Sequence, residues 1–235
     1  MALKLGILAI GSLYWEDNPN RQAWRNSRLD RTAEFEVNVP IRYGRKSETR
    51  GDTYTMVYSR SCQFGRAKAI RCTNLVTCID DLITEAEQLW AAERSAHESN
   101  QRISASWGAV GLLTRPGVPI PQHLLDGWAD RVRRDQGYGA LRFTREDGPP
   151  VSPSGLLQIA WPGLIEGCAP LPLDMLLGTA TNPTLAGDPP TFPTPETIAH
   201  AWNRDTRGNV DYFRSNRRNG IVTFQDDAIM EHLRI

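Results

Sequence analysis

Grouped metal ligands and paired thiols are the most evident absences from this sequence. Its four cysteines (Cys62, Cys72, Cys78 and Cys168) form no CxxC pair, and its four histidines (His97, His123, His200 and His232) are scattered. A structural zinc site needs clustered soft ligands, so no metal is expected. The cysteines read as small, reduced and mostly buried thiols, which places the protein in the cytoplasm. An excess of one charge is missing too: 27 Lys plus Arg face 27 Asp plus Glu. Zero net charge excludes a global field for nucleic acid or a membrane surface. No run approaches the roughly 20 apolar residues of a bilayer span, and Gly6 to Ile10 is too short for a signal peptide. No nucleic-acid or membrane partner is expected, and the oligomeric state is not legible.

What the chain does hold is 7 Trp, 16 Pro and 19 Gly, a composition of many punctuated loops. Leu3 to Ile10 is short and apolar and ends at Gly11-Ser12, the pattern of a buried strand. Asn18 to Asp30 is polar and predicts a loop and short helix. Glu34 to Val39 alternates apolar and polar residues with the period of a half-buried strand. Asp52 to Ser59 is rich in β-branched and aromatic residues, a further strand, with a short one at Arg66 to Cys72. Asp80 to Arg102 is the clearest helix, followed by a strand at Trp107 to Thr114. Beyond Pro116 the texture changes. Pro121 to Gln136 reads as a helix, and Thr194-Pro195-Glu196 is a helix start with a Thr cap and Pro in the first turn. Asn209 to Asn216 continues or restarts that helix. Eleven of the 16 prolines fall between Pro149 and Pro195. Strands and helices alternate without regular βαβ spacing, which favours α+β. The expected organisation is a core over residues 1–115 with a helical, Pro-rich extension over 116–235 packed on it.

Two features carry chemistry. Ile10, Gly11, Ser12 and Leu13 follow the first strand, and a Gly-Ser turn there can aim backbone N–H groups at an anion. The plain alternative is a tight turn whose Ser satisfies local backbone. On the predicted helix, Leu82, Ala86 and Leu89 form an apolar stripe at i, i+4 and i+7. Glu93 falls at i+11, within roughly 20° of Leu82, and continues the stripe. A carboxylate facing a core must be paired, hydrogen-bonded or protonated, and partial burial raises its pKa toward that of a general acid or base. The alternative is fraying, or a structural arginine partner.

A strand ending in a YGS-type turn, followed by strands and a helix with an inward Glu, resembles the γ-glutamyl cyclotransferase-like family, which includes the AIG2-like proteins. The matching pieces are Ile7 to Leu13 (ILAIGSL), Thr53 to Ser59 (TYTMVYS) and Ile79 to Glu93 (IDDLITEAEQLWAAE), within residues 3–115. The resemblance implies an α+β fold with a mixed β-barrel flanked by helices, here carrying a long Pro-rich C-terminal extension. It implies that the Gly-Ser turn holds the α-carboxylate of a γ-glutamyl group. Glu93 would then take the α-amine proton as general acid/base, releasing 5-oxoproline from a small γ-glutamyl amine or peptide, without metal or organic cofactor. The family's Tyr before Gly-Ser is Ile10 here, and the Asn that often follows Ser is Leu13. These departures touch the substrate more than the fold, and leave open a non-catalytic binding or interaction module.

Three other features complete the reading. Arg42 and Tyr43, within Pro40 to Ser47, are expected to recognise a substrate carboxylate by bidentate arginine contacts, or else to form a solvated strand end. Tyr212 to Gly220 mixes aromatics and arginines, and suits a helix C-terminus better than an RNA surface. A Cys62–His97 pair would make a thiol-dependent amidohydrolase, the weakest of the readings.

Overall fold

Five consecutive buried residues, Leu5–Ala9, form β1 at the middle of an eight-stranded sheet. The computed structural model describes residues 1–94, 101–135, 137–138, 147–165 and 169–234. The turn Ser12–Trp15 (α1) and the helix Pro19–Arg28 (α2) follow β1. Leu29–Ser47 is then one long strand, β2, longer than the alternation of Glu34 to Val39 indicates. Thr53–Tyr58 (β3) and Phe64–Cys72 (β4) flank β2 on either side, both antiparallel. Ile79–Glu93 is α3, Ser104–Ala105 is β5 and Gly108–Thr114 is β6. The second half supplies α4 (Gln122–Arg133), the two-residue β7 (Gly163–Leu164) and β8 (Met175–Thr181). Three helices end the chain: α5 (Pro195–Arg204), α6 (Val210–Arg218) and α7 (Asp226–His232).

The strand order is β3-β2-β4-β1-β8-β6-β5, with β7 pairing on β2. Among the strands of the described residues, β1 and β8 are the one parallel pair. This corrects the expected barrel. The sheet is mixed but open, because among the described residues no ladder joins β3 at one end to β5 at the other. The physical reason lies at the ends: β5 is two residues long, too short to present a pairing edge, and α5 packs against β3. The sheet curls without closing. Tyr58 on β3 reaches across to donate its hydroxyl to the Leu8 carbonyl at 2.8 Å.

Helices cover both faces. Trp24, Leu82, Leu89 and Trp128, from α2, α3 and α4, pack on one side with Ile7, Met175 and Leu177. Ile198, Trp202, Phe213 and Ile229, from α5, α6 and α7, fill the other with Leu8, Val39 and Leu176. With both faces buried, β1 and β8 read as continuous apolar runs rather than as alternating ones. β8 lies between β1 and β6, so the segment after residue 116 supplies a central strand.

Helix α3 begins where Asp81 accepts hydrogen bonds from the Cys78 and Thr77 amides at 3.1 and 2.8 Å and from the Thr77 hydroxyl at 2.7 Å. Those donors hold the Asp81 carboxyl down at about 2. The helix ends after Glu93, where Arg94 turns to extended backbone. The rest of the predicted helix, with His97, lies largely at 95–100, outside the described residues, as does Cys168. Among the described residues, no helix is long and apolar enough to cross a membrane.

Candidate functional site

The C-terminal ends of the parallel strands β1 and β8 open on the same cleft, of about 1380 Å³. Ile10, Ser12 and Leu13 line it just beyond β1, and Thr179, Thr181 and Asn182 line it at the end of β8. Glu93, at the end of α3, closes the same wall. Alternation along β8 explains the change of chemistry. Met175 and Leu177 belong to the apolar side under α3. Thr179 and Thr181 continue that row two residues at a time, past the point where the helix stops covering it.

The turn after β1 depends on Gly11. Its φ is 64°, and a Cβ there would stand 2.3 Å from the Tyr212 hydroxyl oxygen. Only glycine takes this conformation at such a close approach without strain. Tyr212 lines the cleft as well, beneath the Arg50 guanidinium, which lies 4.9 Å from its ring centre.

Arg21 ties the wall together. It donates to the Ala92 carbonyl at 3.0 Å, to the Ser12 hydroxyl at 2.8 Å and to the Glu93 carboxylate at 3.1 Å. It also pairs closely with Glu16. Arg50 donates to both Glu16 oxygens at 3.0 and 3.1 Å, and to Ser12 at 3.3 Å. The positive charge nearest the Gly-Ser turn is thus shared with Glu16.

Burial pushes the Glu93 carboxyl above the usual carboxylate range. Arg21, the Thr179 hydroxyl and Arg45 oppose that rise, while Glu16 adds to it. Glu93 keeps 18% of its side-chain surface open to the cleft. It is therefore a desolvated acid that a ligand can touch. Glu85 is the contrasting carboxylate on the same helix. It is more deeply buried, 3% exposed, and Arg28 locks it through two hydrogen bonds at 2.6 and 3.2 Å. It lines no part of the cleft, and its role is structural.

Arg42 and Tyr43 are not brought to the cleft. Arg42 stacks on Phe192, 4.1 Å from its ring centre, and reaches Phe224 at 5.5 Å. Tyr43 is fully buried, edge-on to Trp202 at 5.0 Å, and its hydroxyl accepts from Asn216 at 3.3 Å. The register of β2 against β3 shifts between Tyr43 and Arg45, a bulge at Gly44 that re-aims the next side chain. Arg45 is the arginine this strand sends into the cleft, over the Trp107 ring at 4.9 Å. Cys62 lies outside the cleft, and burial pushes its thiol up to about 11.

No protein family, curated protein or solved structure matches the chain. The family resemblance therefore rests on its quoted residues alone, and the family and enzyme-class labels drawn from it find no support in these comparisons. No group of three or more His, Cys, Asp or Glu suited to a metal occurs among the described residues.

Arg21, Arg50, Thr179 and Thr181 were invisible to motif reading. Arg21 and Arg50 sit in polar segments where nothing marks an inward arginine. The threonines sit at the end of an apolar run, and the i, i+2 repeat of hydroxyls after Met175 and Leu177 was the available signal.

Proposed function

We propose that the cleft binds a small γ-glutamyl amine or peptide and cyclises it, with Glu93 as general acid/base. The substrate's α-amino nitrogen attacks its own γ-carbonyl carbon. A new C–N bond closes the five-membered ring, and the bond to the leaving nitrogen breaks. Glu93 takes the proton from the attacking nitrogen and returns it to the departing amine, so the products are 5-oxoproline and a free amine or amino acid. The nucleophile is already tethered, so the site contributes mainly by folding the substrate into attack geometry. Proton transfer by a positioned carboxylate adds about 10² to 10⁴-fold.

The observation that carries this reading is Glu93 itself: buried, raised in pKa, yet open to a large cleft beside the Gly11-Ser12 turn. The wall carries five basic side chains (Arg21, Arg45, Lys46, Arg50 and Arg94) against two carboxylates, which favours an anionic ligand. The Arg21–Glu93 contact also suits a second reading, a binding site without turnover, because the pair is complete without a ligand.

The test is 5-oxoproline release across a panel of γ-glutamyl amides, with wild type and Glu93→Gln side by side. Loss of 10²-fold or more in kcat with retained binding is the expected result. Unchanged turnover in the variant removes Glu93 from the chemistry. Binding of the panel by wild type without any product supports the second reading.

A further inference from the structure

On the cleft wall, Arg45 differs from Arg21 and Arg50. Arg21 and Arg50 are committed to Glu16, and Arg21 also to Glu93. The Arg45 side chain makes no ion pair or hydrogen bond among the described residues, and its guanidinium lies over the Trp107 ring. Burial costs it stability as a cation, since its pKa is pulled below the usual arginine value. It is close enough to Glu93 for each to feel the other's charge, yet the two form no ion pair. A space therefore separates a base from a free guanidinium.

Two hydroxyls border that space. Thr179, 5% exposed, and Thr181 both line the cleft with buried hydroxyl oxygens; the Thr179 hydroxyl faces the Glu93 carboxylate, and that of Thr181 has no hydrogen-bond partner among the described residues. A buried hydroxyl without a partner is costly and rare. The Thr181 hydroxyl, two residues from Thr179 on one strand face and in the same cleft as a guanidinium without an ion pair, marks a place where something else completes the bonding.

We infer that Arg45, Thr179 and Thr181 form a carboxylate-recognition subsite separate from the Gly11-Ser12 turn, and that the ligand carries a second carboxylate seated there. The planar guanidinium fork matches a carboxylate, and hydroxyls supply further donors to it. The Trp107 ring holds the fork in place. The Asn182 backbone N–H donates to the Trp107 carbonyl at 2.8 Å and ties the Trp107 backbone to the end of β8, while the Trp107 ring stacks on Trp90 at 4.6 Å. On the function proposed above, which this inference extends, the second carboxylate belongs to the leaving group, and these three side chains set specificity.

The experiment measures affinity by calorimetry for three probes: γ-glutamylglycine, γ-glutamylmethylamide and glutarate. The proteins are wild type, Arg45→Gln, and Thr181→Val, which is close in shape and keeps the fold testable if the arginine variant is unstable. Wild type is expected to prefer γ-glutamylglycine over the methylamide by about tenfold or more, the worth of a charge-assisted contact. In both variants the ratio is expected to fall toward one. Thr181→Val without ligand should melt no lower than wild type, since it removes an unsatisfied hydroxyl. A merely structural role for Thr181 would lower the melting temperature and leave the ratio intact.

Equal affinities in wild type, or a ratio that survives Arg45→Gln, overturns the subsite even if 5-oxoproline is produced. Conversely, if no probe is turned over but glutarate binds and both variants weaken it, the subsite stands and the cyclisation falls. A wild type that binds none of the three probes overturns the subsite.

Discussion

Replacing Arg21 with Gln tests the electrostatic reasoning behind the site more directly than any assay of turnover. Arg21 and Glu93 keep only 11% and 18% of their side-chain surfaces exposed. Removing one partner of a fully buried pair costs about 3–5 kcal/mol. Water in the cleft screens part of that here, which reduces the expected loss to about 2–3 kcal/mol. For a chain of this size the melting temperature should fall by roughly 5–10 °C. The loss has a distinctive pH dependence. Burial already lifts the Glu93 carboxyl above its ordinary value, and losing Arg21, the largest opposing influence, lifts it further. A carboxyl whose folded pKa exceeds its unfolded one binds extra protons in the folded state, so stability drains away as pH rises through that window. The Glu93 share of the penalty therefore vanishes as pH falls below the ordinary carboxylate range and grows as pH rises above it. A remainder of about 1 kcal/mol, from the lost bond to the Ala92 carbonyl, persists at every pH. Thermal denaturation of wild type, Arg21→Gln, Glu93→Gln and the double variant at pH 4 and 8 gives all the terms. A penalty independent of pH, or one that simply adds to that of Glu93→Gln, refutes the argument.

Other outcomes follow from single contacts. Gly11→Ala places a Cβ against the Tyr212 hydroxyl at a positive φ, and should cost about 1–3 kcal/mol by denaturant titration. Combining it with Tyr212→Phe should recover part of the loss, because the nearest clashing atom is gone. Asp226 is buried, with its carboxyl pushed up to about 6 despite donors from Thr223. Its folded pKa lies above the unfolded one, so its charge destabilises the protein increasingly as pH rises from about 4 through 6. Asp226→Asn should then gain up to about 2–3 kcal/mol at pH 8 and nothing below pH 4, read from melting curves across that range. Cys62, at about 11, is almost entirely thiol at neutrality. Cys62→Ala should leave any turnover intact, and Cys62 should resist iodoacetamide at pH 7.5, checked by mass spectrometry.

How far the sequence speaks for itself varies by element. β3 and β6 were legible from β-branched and apolar runs, and α5 from the Thr194 cap and Pro195. Glu93 was singled out because helical spacing is rigid: a stripe begun at Leu82 has to meet it. The upstream end of β8, by contrast, offers no alternation, because both of its faces are covered; lying in the Pro-rich half, it resembles loop filler. The bulge at Gly44 is the other blind spot. One inserted residue moves Arg45 off the face that alternation would have it share with Tyr43, and no periodicity survives it. Closure of a sheet depends on its two end strands meeting, which local pattern does not encode; hence the barrel expectation failed at a two-residue β5.

The placement of β8 has a consequence for assembly. β6 meets the two residues of β5 and a single bridge from Leu112 to Leu156, and its full partner is β8. β1 likewise has a free edge until β8 arrives. A nascent chain carrying only the first half thus exposes two apolar strand edges facing an empty slot, a geometry that invites pairing with other chains. Filling that slot joins the strands around β1 to those around β6 through contacts distant in sequence, which are slow to form. The strand that fuses the two sections also carries Thr179 and Thr181, so the cleft exists only in molecules whose sheet is complete.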